Sequence, residues 1–314
     1  MMTLRRVAQF VLLVTLGGCA SMNARTTGRS KAGSRRESID VGGERREFLL
    51  HVPARYRGDS AVPLVIMLHG HGDHAAKFER STGMSAKSDT AGFIVAYPQA
   101  QGSPSVWHTA VDGSGKRDDV SFIRALIDTL SARYRIDPRR IDVAGHSNGA
   151  FMAYRLGTVM SRRIAALGIS AGSIGKITAD GDTVRVKRPS HPVAVIAFHG
   201  TADNSVPYDG GPESDGPRHI IPAPESIKFW VTSDQCDTLA THTPVANGAV
   251  RRDAYETCAA GTSVVLYTIV GGTHRWPGDD AEWWKFADPT AHVISATDEM
   301  WAFFVAHPKH SAPQ

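Results

Sequence analysis

The sequence predicts an α/β fold: a mostly parallel, eight-stranded sheet with helices on both faces, in one domain. Three observations carry that prediction. Short apolar runs alternate with stretches of helical periodicity, as successive βαβ units require. The runs are continuous in Val, Ile, Leu and Phe, which fits strands buried on both faces. One of them, Ile141-Asp142-Val143-Ala144, leads through Gly145-His146-Ser147-Asn148-Gly149 into a helix-forming segment, so a G-x-S-x-G pattern sits at a strand-to-helix turn.

Taken in order, the chain starts with Arg5-Arg6 ahead of an apolar run, Val7 to Leu16. That run is far shorter than the roughly 20 residues needed to span a bilayer, and residues 1–18 read as a signal peptide. It closes with Leu16-Gly17-Gly18-Cys19, which resembles the bacterial lipobox. The resemblance implies that Cys19 is lipidated and becomes the mature N-terminus, and Ala20 in place of aspartate implies no retention at the inner membrane. The protein is therefore expected to be exported as an outer-membrane or cell-surface lipoprotein. The alternative is a soluble periplasmic or extracellular protein cut near Met22-Asn23-Ala24.

Residues 19–36 form the lipidated cysteine and a Ser/Gly/Arg-rich flexible tether. The first 36 residues carry seven cationic side chains and no acid. The chain's formal charge is +4, so residues 37–314 carry −3. The basic character belongs to the leader and tether, close to anionic lipid, and nothing in it argues for nucleic-acid binding. Of three cysteines, Cys19 goes to the anchor, leaving Cys236 and Cys258 as a disulfide pair in an oxidising compartment.

Ser38 to Val41, Gly42-Gly43 and Arg46 to Val52 read as a β-hairpin. The later strands are expected at Pro63–His69, Phe93–Tyr97, Ile141–Ala144, Ile164–Ser170, Val193–His199 and Val264–Val270. Counting the hairpin as two, the G-x-S-x-G turn follows the fifth. Val120, Ile123, Ile127, Leu130 and Tyr134 recur at helical spacing behind Asp118-Asp119, an N-terminal cap. Ser295-Ala296-Thr297-Asp298 opens a last helix with an apolar stripe of Met300, Trp301, Phe303 and Phe304. Residues 37–308 form the domain and residues 309–314 a C-terminal tail.

Four further segments complete a pattern: Leu68-His69-Gly70-His71-Gly72, Asp137-Pro138-Arg139-Arg140, Phe198-His199-Gly200-Thr201-Ala202-Asp203, and Gly271-Gly272-Thr273-His274-Arg275-Trp276-Pro277-Gly278. With the G-x-S-x-G turn, residues 37–308 resemble an α/β-hydrolase. Within that fold they resemble the secreted esterases grouped with polyhydroxybutyrate depolymerases and feruloyl or acetylxylan esterases. A serine hydroxyl is a poor nucleophile without a base in hydrogen-bond reach and a third group to orient that base. In this fold the order along the chain is Ser, Asp or Glu, then His, with candidates just past the carboxyl ends of late strands. Ser147, Asp203 and His274 satisfy both conditions, with Asp209 as runner-up to Asp203. The resemblance assigns Ser147 as nucleophile, His274 as general base and acid, and Asp203 as the orienting carboxylate.

An oxyanion needs two backbone donors. The N–H of Asn148 supplies one, and the family's pattern points to the N–H of His71 for the other, with Gly72 as the alternative. His69, His71 and His74 lie close together, but their spacing matches no helical ligand pair. Neither metal nor cofactor is required for the expected chemistry. Trp107 and Trp276 are expected to line the cleft as substrate-binding rings, with Trp283 and Trp284 more consistent with loop packing, and Tyr208 to Ile221 forms a rim loop.

The resemblance thus implies a serine carboxylic-ester hydrolase acting on a small-molecule or oligomeric ester: feruloyl or acetyl esters of plant polysaccharide fragments, or alternatively short hydroxyalkanoate oligomers. A different class remains open, a non-catalytic envelope lipoprotein that uses a hydrolase fold for binding.

Overall fold

Two apolar cores, one on each side of a single sheet, are what the alternating residues of the central strands build. A computed structural model describes residues 33–109, 118–212, 219–279, 290 and 292–310. It begins with the antiparallel pair β1 (Gly33–Val41) and β2 (Glu44–Val52). There follow β3 (Val62–Leu68), α1 (Ala75–Thr82), α2 (Met84–Ala91), β4 (Ile94–Pro98), α3 (Asp119–Arg133), β5 (Ile136–His146), α4 (Asn148–Val159) and β6 (Ala166–Ser170). Two short strands, β7 (Gly175–Ile177) and β8 (Thr183–Arg185), precede β9 (Ala194–Gly200). The remainder is β10 (Gly211–Pro212), β11 (His219–Ile220), α5 (Ala223–Ser233), β12 (Thr241–Val245), β13 (Val250–Tyr255), β14 (Val264–Ile269) and α6 (Ala296–Ala306).

The main sheet runs β1-β2-β4-β3-β5-β6-β9-β14-β13-β12. Its six central strands are parallel, and an antiparallel pair closes each edge. Because successive side chains point to opposite faces, Leu64, Ile66 and Leu68 of β3 enter one core and Val65 and Met67 the other. The first core is covered by α3, α4 and α5 through Phe122, Met152 and Trp230. The second is covered by α1, α2 and α6 through Phe78, Met84 and Met300. This is the architecture of the α/β-hydrolases. Both expected caps form: Asp118 Oδ1 accepts from Ser121 N at 2.9 Å, and Ser295 Oγ accepts from Asp298 N at 3.2 Å. Cys236 and Cys258 are joined in a disulfide.

The strand count differs from the eight expected: among the described residues the main sheet has ten, and β10-β11-β7-β8 form a small second sheet. The missed edge pair, β12 and β13, carries Thr241-His242-Thr243-Pro244 and Arg251-Arg252-Asp253, largely polar because an edge strand faces water. The rim segment expected to be a loop contains β10 and β11. Strand β1 begins at Gly33, inside the span assigned to the tether, and pairs along its whole length with β2. Other strand ends agree within about two residues, the usual margin for such boundaries, except that β5 starts early, at Ile136. The signal peptide, Cys19, Trp283 and Trp284 lie outside the described residues. Among the described residues, no helix is long and apolar enough to cross a membrane.

Candidate active site

The carboxyl ends of β3, β5, β6, β9 and β14 share one edge of the sheet, and their following loops meet there. Between β5 and α4, Ser147 adopts φ 54° and ψ −124°, a strained conformation for a residue with a side chain. The strain is held by neighbours. Ser147 N donates to Ser170 O at the end of β6 (2.9 Å), and Ser147 O accepts from Ala150 N and Phe151 N (2.8 and 3.1 Å). The two flanking glycines are required by space: a Cβ on Gly145 would sit 2.2 Å from Gly149 O, and one on Gly149 would sit 2.1 Å from Leu68 O.

The loops after β9 and β14 are brought together in the same way. A Cβ on Gly200 would lie 2.1 Å from Gly272 O, and Ala202 N donates to that same carbonyl at 2.9 Å. This backbone contact carries Asp203 to His274, whose Nδ1–H donates to Asp203 Oδ2 at 2.7 Å and leaves Nε2 free to act as a base. The other carboxylate oxygen accepts from Ser205 N and Val206 N at 2.9 and 2.8 Å. Burial alone would raise the Asp203 pKa. The hydrogen bonds from His199 and His274, the charge of His274 and the Val206 amide outweigh it, and hold the carboxyl well below the usual range.

His146, within the elbow, packs at a tilt against His274 with ring centroids 4.9 Å apart and bonds Ser170 Oγ through Nδ1 at 3.0 Å. Desolvation, then the neighbouring His274, push its pKa far down, so it is a neutral support for the imidazole. The Ser147 hydroxyl forms no hydrogen bond among the described residues; its neighbour is what contacts His274. Asp209, the runner-up carboxylate, is exposed and does not engage the imidazole.

The N–H of Asn148 is the first of α4, where the helix dipole favours negative charge. Neither it nor the N–H of His71 has an acceptor among the described residues, whereas the alternative, Gly72 N, donates to Ser105 O at 2.8 Å. The loop bearing His71 lies against the elbow: a Cβ on Gly70 would stand 3.4 Å from Ser147 Cβ. In the histidine cluster, His69 is buried with both ring nitrogens engaged, Nδ1 with Gly70 O at 2.8 Å and Nε2 with Ala100 N at 3.1 Å. That leaves it no lone pair for a ligand.

Two expected substrate rings must be corrected. Trp107 is 0% and Trp276 3% exposed, so neither presents a face to a ligand. The Trp276 indole donates to Thr297 Oγ1 at 3.2 Å and packs edge-on against Phe78, within the second core. Trp107 donates to His69 O at 2.9 Å. A loop position after a strand (Trp107) or nearness in sequence to His274 (Trp276) does not specify the direction of a ring. His199 and Ser170 support Asp203 and the elbow, roles that the sequence reading does not assign. Their signal is positional, since each lies at the carboxyl end of a central strand.

The sequence model of the family described as Esterase PHB depolymerase matches residues 48–214, which include Ser147 and Asp203. "Putative esterase NocK" of Nocardia uniformis subsp. tsuyamanensis is 30% identical over 259 residues, covering 76% of this chain and 73% of that protein. Feruloyl esterase B of Piromyces equi is 30% identical over 246 residues, covering 77% of this chain but only 44% of that relative's length. Among solved structures, the acetyl xylan esterase from Aspergillus awamori superposes with a TM-score of 0.58 at 15% identity, over 81% of this chain and 100% of that one. That likeness speaks to the fold alone. With the family matched over more than half of its length, this chain belongs to the Esterase PHB depolymerase family of carboxylic-ester hydrolases.

Proposed function

We propose that the protein is a serine esterase in which Ser147, His274 and Asp203 act as a catalytic triad. Ser147 attacks the ester carbonyl while His274 Nε2 takes its proton. The same imidazolium protonates the departing alcohol, and water, deprotonated by His274, then cleaves the acyl-enzyme. The amides of Asn148 and His71 receive the negative oxygen of each tetrahedral intermediate. The observation that carries this reading is the 2.7 Å bond between His274 Nδ1 and Asp203 Oδ2, formed beside a serine held at positive φ. The lack of a Ser147 hydroxyl hydrogen bond among the described residues is in keeping with a contact to His274 that tightens when substrate arrives.

The favoured substrates are feruloyl or acetyl esters of plant polysaccharide fragments, a reading supported by the Piromyces relative. Short hydroxyalkanoate oligomers are the second reading, supported by the description of the matching family. The disulfide and the N-terminal sequence support export, with Cys19 as a lipid anchor.

Turnover of p-nitrophenyl acetate by the wild type and by Ser147→Ala tests the chemistry. The variant is expected to lose a factor on the order of 10⁴ or more in kcat. Equal, negligible rates in both would leave only the binding reading. Relative kcat/KM on methyl ferulate, acetylated xylan and 3-hydroxybutyrate oligomers decides the substrate class.

A further inference from the structure

We propose that Trp107 is a positioning residue that couples the two backbone donors of the oxyanion hole, with the Asn148 side chain as the other half of the brace. The proposal rests on the serine-esterase reading above. A backbone N–H cannot be adjusted by its own side chain, so its aim depends on what holds the peptide. Such donors act only within about 2.7–3.1 Å of the developing oxyanion. Asn148 and His71 belong to different loops, and something must fix one against the other.

Trp107 bonds to both sides. Its indole Nε1–H donates to His69 O at 2.9 Å, two residues before His71. Its backbone N–H donates to Asn148 Oδ1 at 2.7 Å, and its carbonyl accepts from Asn148 Nδ2 at 3.3 Å. The same loop, residues 99–109, grips the His71 loop elsewhere: Ala100 N reaches His69 Nε2 at 3.1 Å, Gly72 N reaches Ser105 O at 2.8 Å, and Ser105 Oγ reaches Asp73 O at 2.7 Å.

The brace is itself anchored. His108 N donates to Asp119 Oδ2 at 2.8 Å, and Asp119 is buried at the start of α3 in a 2.6 Å ion pair with Arg46. A purely space-filling ring at 107 would not need its N–H bond to His69 O, and the backbone bonds to Asn148 tie that same residue to the start of α4. The arrangement also explains why so large a ring beside the nucleophile turn is wholly enclosed.

Two variants probe the brace from opposite ends while keeping both backbone donors. Trp107→Phe removes the indole N–H, and Asn148→Ala removes the side-chain amide. With p-nitrophenyl acetate, each is expected to lower kcat by about 10- to 100-fold, with KM changed by less than about twofold. Affinity for phenylboronic acid, which forms a tetrahedral anion on the serine, should fall by a similar factor. The double variant should be little worse than the poorer single one, because both cut the same link.

Rates are normalised to the folded enzyme by active-site titration with a fluorophosphonate, which separates misfolding from misaligned donors. Wild-type kcat per titrated site in both single variants, or fully additive losses, would overturn the proposal. Substantial turnover by Ser147→Ala would instead sink the serine-esterase reading beneath it, so the two failures are distinguishable.

Discussion

Asp203 is a buried carboxylate that stays ionised because every part of its environment donates to it: His274 to one oxygen, Ser205 N and Val206 N to the other. Asp203→Asn keeps the shape but offers an amide where His274 Nδ1–H needs an acceptor, favouring the wrong tautomer. Steady-state kinetics should show kcat reduced by about 10⁴-fold, with folding intact. The sign of the stability effect also follows. The folded pKa lies below the unfolded value of about 3.9, so the carboxylate's stabilisation is complete above that pH and is lost as pH falls below it. Urea titrations from pH 5 downward should therefore show a steeper acid loss in the wild type than in Asp203→Asn. Asp203 and His274 were legible in the sequence because each follows an apolar strand by a few residues. The roles of Ser170 and Trp107 were not, because their hydrogen-bond partners lie 24 to 105 residues away and leave no local pattern.

At the scale of elements, the nucleophile turn was the most legible feature, since its two glycines answer a steric demand that any strand-turn-helix of this tightness imposes. Gly149→Ala would drive a methyl into the Leu68 carbonyl, which is backbone and cannot rotate away. Destabilisation of about 1–3 kcal/mol or more is expected, read as a lowered Tm together with a loss of turnover as α4 shifts from β3. A wild-type Tm would show that the turn relaxes more easily than its contacts imply. The central strands were legible because burial on both faces demands unbroken apolar residues. The edge strands β12 and β13 and the small second sheet were not, since exposed or two- to three-residue strands need no such composition.

For the molecule as a whole, the candidate site and the disulfide lie toward opposite ends of the central strands. The site lies at the carboxyl edge. The Cys236–Cys258 disulfide lies near the amino edge, where Asp234 accepts from Val193 N just before β9. Replacing both cysteines by serine should cost about 2–4 kcal/mol of unfolding free energy in urea, with kcat unchanged below the transition. Burial raises the Asp234 pKa to about 7, against the opposing pull of the Val193 and Thr262 hydrogen bonds and of Lys309. A raised folded pKa means that this contribution is complete below the unfolded value of about 3.9 and is lost as pH rises through about 7. Asp234→Asn should accordingly flatten the decline in wild-type stability between pH 5 and pH 8, measured by urea unfolding at each end.

By itself the sequence determined the layered α/β plan, the cysteine pair and the three residues on which the proposed chemistry rests, because strand burial, turn sterics and chain order are local or periodic constraints. Tertiary structure alone decided which side chains face the cleft and which brace it. It turned Trp107 and Trp276 inward and set His146 against His274. The direction of a side chain is fixed by the neighbours that fill the remaining space, and those neighbours arrive from distant parts of the chain.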